Sequence, residues 1–113
     1  MDLEILEHSG EGYLPLVRYQ GWRVAVINYD IRFDEQCFTR MERHHLTDEV
    51  FILINGNAVL VVGKEQKRYE MEVGKIYNVK KNVWHHVFVS KDARVIVVEN
   101  DDTSKENSEY LEV

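Results

Sequence analysis

Val50-Phe51-Ile52-Leu53-Ile54-Asn55-Gly56-Asn57-Ala58-Val59-Leu60-Val61-Val62 reads as two short apolar strands separated by a turn. Runs of five apolar residues are too short for a helix of ordinary length, and β-branched Val and Ile favour the pleated backbone. Asn and Gly both tolerate positive φ, so Asn55-Gly56 between two apolar runs predicts a hairpin. The same pattern repeats outward in both directions. Further β-rich runs span 22–29, 36–42, 67–71, 75–79, 83–89 and 94–99, with Gly63-Lys64-Glu65, Val73-Gly74 and Ser90-Lys91-Asp92 between strands. No segment shows sustained helical periodicity. Turn signals every eight to twelve residues predict an all-β antiparallel sandwich or barrel.

The bulk properties narrow the classes of function. With 113 residues, one proline (Pro15) and no Ser/Gly linker, residues 1–113 are expected to form a single domain. A net charge of -6 without a dense basic stripe excludes a nucleic-acid backbone as partner. The longest apolar runs are about a quarter of the roughly 20 residues a membrane-spanning helix needs, so no membrane partner is expected. Met1-Asp2-Leu3-Glu4 is acidic and does not resemble a signal peptide. Cys37 is the sole cysteine, and a reducing, cytoplasmic location is the simplest expectation.

Four of the five histidines come as two doublets, His44-His45 and His85-His86. The first follows Glu42-Arg43 and precedes Asp48-Glu49. Imidazoles and carboxylates are the ligands of borderline divalent metals. Alternation along a strand puts Glu42 and His44 on one face and Arg43 and His45 on the other. Groups this far apart in sequence converge only where the sheet curls back on itself.

The stretch Glu42-x-His44-x4-Glu49-x6-Gly56 resembles the first motif of the cupins, and Gly74-x10-His85 resembles their second. The resemblance implies a jelly-roll double-stranded β-helix, the cupin barrel, with a metal inside it. It carries metal ligation onto His44, Glu49 and His85. Glu42 stands where the first histidine is usual, and Lys80 and Asn82 stand where proline and glycine are usual. Glu42-Arg43-His44, with Phe51, Gly56 and Asn82-Val83-Trp84-His85-His86, is also similar to ureidoglycolate lyase, a cupin-fold enzyme family. Glu49 and Tyr29 depart from that second pattern.

These readings imply a divalent ion (Mn, Fe, Ni, Co or Zn) on His44, Glu49 and His85, with Glu42 as a fourth ligand or a catalytic base. Two functions follow: a metal-assisted enzyme of lyase type on a small 2-hydroxy or 2-oxo acid, or a non-catalytic cupin binding a small anionic ligand. His45 and His86 are expected at a surface or an interface. Arg23, Arg32 and Arg43 are either contacts to an anion or ordinary surface charge. Trp84, Phe51 and Tyr77 belong to the core or a pocket wall, and Cys37 is expected to be an inert buried thiol. Strands 50–54 and 94–98 are apolar on both faces. Another segment of the chain could cover the outer face, but a homodimer that buries it is the expectation. Leu3, Ile5 and Leu6 alternate like an edge strand, and residues 99–113 read as a solvated tail that Tyr110, Leu111 and Val113 could anchor.

Overall fold

The computed structural model describes residues 2–113, with the backbone alone at Lys105. Among these residues there are ten strands: β1 (Gly12–Tyr19), β2 (Trp22–Asn28), β3 (Arg40–His44), β4 (Glu49–Asn55), β5 (Ala58–Val62), β6 (Lys67–Glu70), β7 (Tyr77–Val79), β8 (His85–Val89), β9 (Arg94–Asn100) and β10 (Ser108–Glu112). They form two antiparallel five-stranded sheets, ordered β1-β2-β9-β4-β7 and β10-β3-β8-β5-β6. Inward residues of both sheets, among them Ala25, Phe51, Leu53, Leu60, Val87 and Val97, make the main core between them. This is the jelly roll the motifs imply.

The segment that predicts the fold class does not make the expected hairpin. β4 pairs with β7 and β9, whereas β5 pairs with β6 and β8 in the opposite sheet. Asn55-Gly56-Asn57 is therefore a corner between sheets. Gly56 has φ +73° and lies against Ala93, where a Cβ would meet the Ala93 Cα at 2.6 Å. Glycine is needed there both for the backbone angle and for the close approach.

Other differences have equally local causes. The run 36–42 begins within a 3-10 turn, 35–37, that follows another at 31–33; the Asp30 and Asp34 carboxylates accept hydrogen bonds from the Arg32 and Gln36 amides, and the strand starts only at Arg40. Cys37 is exposed on the second turn, not buried. β1 lies ahead of the first expected strand; Pro15 is accommodated because this is an edge strand whose register shifts between Pro15 and Val17. Residues 2–9 form no regular strand, and Leu3, Ile5 and Leu6 are exposed.

The expected solvated tail instead supplies β10, which pairs with β3 from Ser108↔His44 to Glu112↔Arg40. Leu111 packs on a second cluster of Met41, Val61, Trp84 and Phe88, on the face of this sheet turned away from the main core. Asn82 has φ +67°. Asparagine is among the few residues besides glycine that adopt this conformation readily.

Candidate metal centre

His44 ends β3, residues 45–48 cross from one sheet to the other, and Glu49 opens β4. β3 also pairs with β8 at Glu42↔His85. The four expected residues thus converge, with Glu42, His44 and His85 on one sheet and Glu49 facing them from the other. His44 Nε2 lies 3.2 Å from Glu49 Oε1, and His85 Nε2 lies 2.9 Å from the same oxygen. Glu42 Oε1 is 3.8 Å from His44 Nε2. His44, Glu49 and His85 are buried, and the Glu42 side chain retains 31% of its exposure.

The tautomers matter. His85 Nδ1 donates to the Val83 carbonyl at 3.0 Å, and His44 Nδ1 is 2.7 Å from Ser108 Oγ. Both rings are oriented by these partners, leaving each Nε2 for the centre, as in histidine-metal sites where the second nitrogen is held by an outer hydrogen bond. A carboxylate only accepts, so Nε2 beside Glu49 must carry a proton or share a cation with it. Ligand atoms about 2.1 Å from one ion lie roughly 3.0–3.4 Å apart. The His44–Glu49 separation falls within that spacing and the His85–Glu49 separation just short of it, and ligand atoms of Glu42, His44 and His85 also lie within 4.8 Å of one another, so imidazole and carboxylate donors suited to a divalent metal meet here.

Burial opposes charge at Glu49, but hydrogen bonds from His44 and His85 hold its carboxyl well below the usual range. Burial likewise opposes the His85 cation, but the Glu49 carboxylate pushes that imidazole up to about 8. His44 is raised by the same partner against its own burial.

Glu99 was not anticipated. It shares the inward face of β9 with Val95 and Val97, and an acid among buried apolar positions of one parity was the signal available. His44, Glu49 and Glu99 offer ligand atoms within 4.8 Å of one another. Arg23 Nη2 pairs with Glu99 Oε1 at 2.9 Å, and the Tyr13 hydroxyl donates to Glu99 Oε2 at 3.3 Å. Burial, followed by the Glu49 charge, pushes Glu99 up to about 8 despite Arg23. Arg23 therefore serves an internal carboxyl and is not surface charge.

The second member of each doublet points elsewhere. His45 is half-buried, with Asn82 Oδ1 2.7 Å from Nδ1 and Glu109 Oε1 2.8 Å from Nε2. His86 stacks at 5.1 Å on Phe38 and 6.1 Å on Phe33, so it is packed among aromatics and not at the expected surface. Burial pushes His86 down to about 4. Arg43 is occupied by Glu109 and the Trp84 ring. The centre opens into a cavity of ≈ 830 Å³ whose wall includes Phe51 and Arg32 but neither Trp84 nor Tyr77.

Residues 31–99, well over half of the chain, match the family described as a cupin domain. The chain belongs to the cupin family. No curated protein matches it in sequence. Among solved structures, this cupin is similar to Pac13 of Streptomyces, described as a nucleoside dehydratase. A uridine-bound variant of Pac13 aligns at TM-score 0.67 and 11% identity over 93% of this chain and 82% of that one. A cupin-2 domain protein of Shewanella frigidimarina aligns at 0.59 and 15% identity over 85% and 84%. The iron(II) form of HppE aligns at 0.62 and 17% identity over 86% of this cupin and 54% of the other chain. At these identities the likeness is one of fold. Among the described residues no helix is long and apolar enough to cross a membrane.

Proposed function

We propose that residues 1–113 act as one cupin domain holding one divalent transition metal on His44, Glu49 and His85, and that this metal binds a small organic anion through its carboxylate or 2-hydroxy or 2-oxo group. The observation that carries the reading is the convergence of two buried Nε2 atoms on one Glu49 oxygen, with both Nδ1 atoms already engaged. Mn, Fe, Ni, Co and Zn all suit this donor set. The metal, when bound, would polarise a chelating carbonyl or carboxylate oxygen. Glu42, the most exposed acid of the group, is placed to accept or return a proton at its carboxylate. Glu99 pairs with Arg23 and Tyr13 while lying beside Glu49, so the reading leaves it next to the three proposed ligands and not among them.

Metal-assisted lyase chemistry of the ureidoglycolate type is the enzymatic form of this reading, with Glu42 as base. The second form is a non-catalytic module that binds a small anion; it is favoured if Glu42 and Glu99 both close on the metal, since those two acids would saturate the centre. Elemental analysis of untagged protein is expected to give one transition metal per chain. Substituting His44 and His85 together by alanine is expected to abolish binding and the associated rise in Tm, while the same changes at His45 and His86 retain binding. A metal-free wild type that neither Mn, Ni nor Zn stabilises would overturn the proposal.

We also propose a cytoplasmic homodimer. On the outward face of the first sheet, Leu14, Val26, Ile96 and Ile52 are cross-strand neighbours in one row, and Val17, Val24, Val98 and Val50 form the next. A continuous aliphatic face is stabilised by removal from water, and a second copy is the closed solution. Light scattering giving the mass of a single chain across micromolar concentrations would refute it.

A further inference from the structure

The cavity of ≈ 830 Å³ exceeds what a metal and a two- or three-carbon acid occupy, and falls in the range of sites for drug-sized molecules. Its wall follows the inward face of β3 from His44 through Glu42 to Arg40. Arg40 and His44 are four residues apart on that strand, about 13 Å at the usual rise. Arg32, from the first 3-10 turn, and Tyr110, from β10, line the same cavity.

The arginines of this chain divide cleanly. Arg18, Arg23, Arg43 and Arg68 each pair with a carboxylate, and Arg94 donates to Asn28 and to the His8 carbonyl. Among the arginines of the described residues, only Arg32 and Arg40 have a guanidinium group without a hydrogen-bonding or ion-pair partner. Glu112 is the register neighbour of Arg40, but no ion pair joins them. Each of the two guanidinium groups instead lies on a ring, Arg32 4.7 Å from the Phe33 centroid and Arg40 4.1 Å from that of Tyr110. Stacking limits the freedom of the planar group without consuming its edge donors, which suit bidentate contact with an oxyanion. His86, which lines the cavity too, has a buried Nε2 with no partner.

We infer that Arg32 and Arg40 form an anion subsite, and that the ligand is an elongated organic anion of about nucleotide or disaccharide size. It carries a carboxylate or phosphate at the end remote from the metal. The inference rests on the proposed metal centre only for which end of the ligand is coordinated.

The test uses two matched pairs, titrated into metal-loaded and metal-free protein. Uridine 5′-monophosphate against uridine probes a phosphate end; suberate against its monomethyl ester probes a carboxylate end while leaving one carboxylate for the metal. In at least one pair the charged member is expected to bind about tenfold more tightly or better. That preference should vanish in an Arg32→Gln/Arg40→Gln double variant and return in part with lysine at both positions. Nickel affinity and Tm should match wild type in both variants, so a defect confined to nickel binding counts against the metal centre alone. Equal binding of charged and uncharged members in both pairs, including no binding at all, or a preference that survives the double variant, would overturn the subsite.

Discussion

Raising the pH should weaken the metal-free chain and strengthen its hold on metal, and the size of both effects follows from His85. In the metal-free chain its pKa is displaced from 6.5 to about 8, chiefly through Glu49. A histidine whose folded pKa lies above its unfolded value contributes stability that is complete below about pH 6.5 and is lost as the pH rises through about 8. A displacement of one and a half units corresponds to about 2 kcal/mol. Glu99, a carboxyl raised to about 8, acts with the same sign: between its ordinary range and pH 8 the folded state holds the extra proton, so stability again falls as pH rises.

A metal held as proposed would require Nε2 of His85 as a free lone pair, so its binding would expel that proton. At pH 6 the protonated form outnumbers the neutral one by about a hundred to one, and nickel affinity should fall by about that factor relative to pH above 8. Urea unfolding at intervals from pH 6 to 9, with chelator and with excess nickel, reads both slopes, and calorimetry in buffers of different ionisation enthalpy counts the proton. Chelated protein whose stability is flat or rises over this window, or nickel affinity that ignores pH, would refute the reasoning.

Three further outcomes are expected. Ser108→Ala removes the hydroxyl on His44 Nδ1 and should cost roughly ten- to a hundredfold in metal affinity, read by competition with a fluorescent chelator, with one ion per chain retained. Gly56→Ala forces a Cβ into the Ala93 backbone at a left-handed residue and should destabilise the chain by about 1–3 kcal/mol in urea unfolding, without loss of metal stoichiometry. Glu42→Gln should keep one metal per chain, while any turnover of a 2-hydroxy or 2-oxo acid falls by about two orders of magnitude or more, as measured by kcat at saturating metal.

What could be read in the sequence was what depends on short-range pattern. Apolar runs bounded by turn residues located most of the strands, and the spacing around His44, Glu49 and His85 located the residues that converge. Pairing partners are set by contacts far apart in sequence, so Asn55-Gly56 carried the signal of a hairpin while serving as a corner. β10 was hidden because its residues are mostly polar, as suits an edge strand whose inward side lines a cavity. Glu99 was hidden at the end of an apolar strand, where an acid reads as the return to solvent. In the fold its parity makes it inward, where Arg23 from β2 lies against it.

The compactness of the first motif has a structural cause. The chain changes sheets between His44 and Glu49, so residues only five apart face one another across the barrel. β8 then needs only the single register Glu42↔His85 to bring a second imidazole to the same oxygen. The donor set is consequently divided between the sheets, and without metal one carboxylate carries the contact to both imidazoles. An ion bound there joins the sheets, so its binding energy is also folding energy, about 2.7 kcal/mol at a hundredfold excess over Kd. The same division explains why the cavity lies beside the centre: Glu42 and Arg40 continue along β3 while the facing sheet supplies Arg23 and Tyr13, whose contacts are with Glu99. Beyond Glu42, the charged side chains on the cavity wall that remain free to meet a ligand are Arg32, Arg40 and Glu112. Two stacked guanidinium groups against one acid favour an anion at that end, so the proposed subsite would set the selectivity of the site at the end opposite the proposed metal centre.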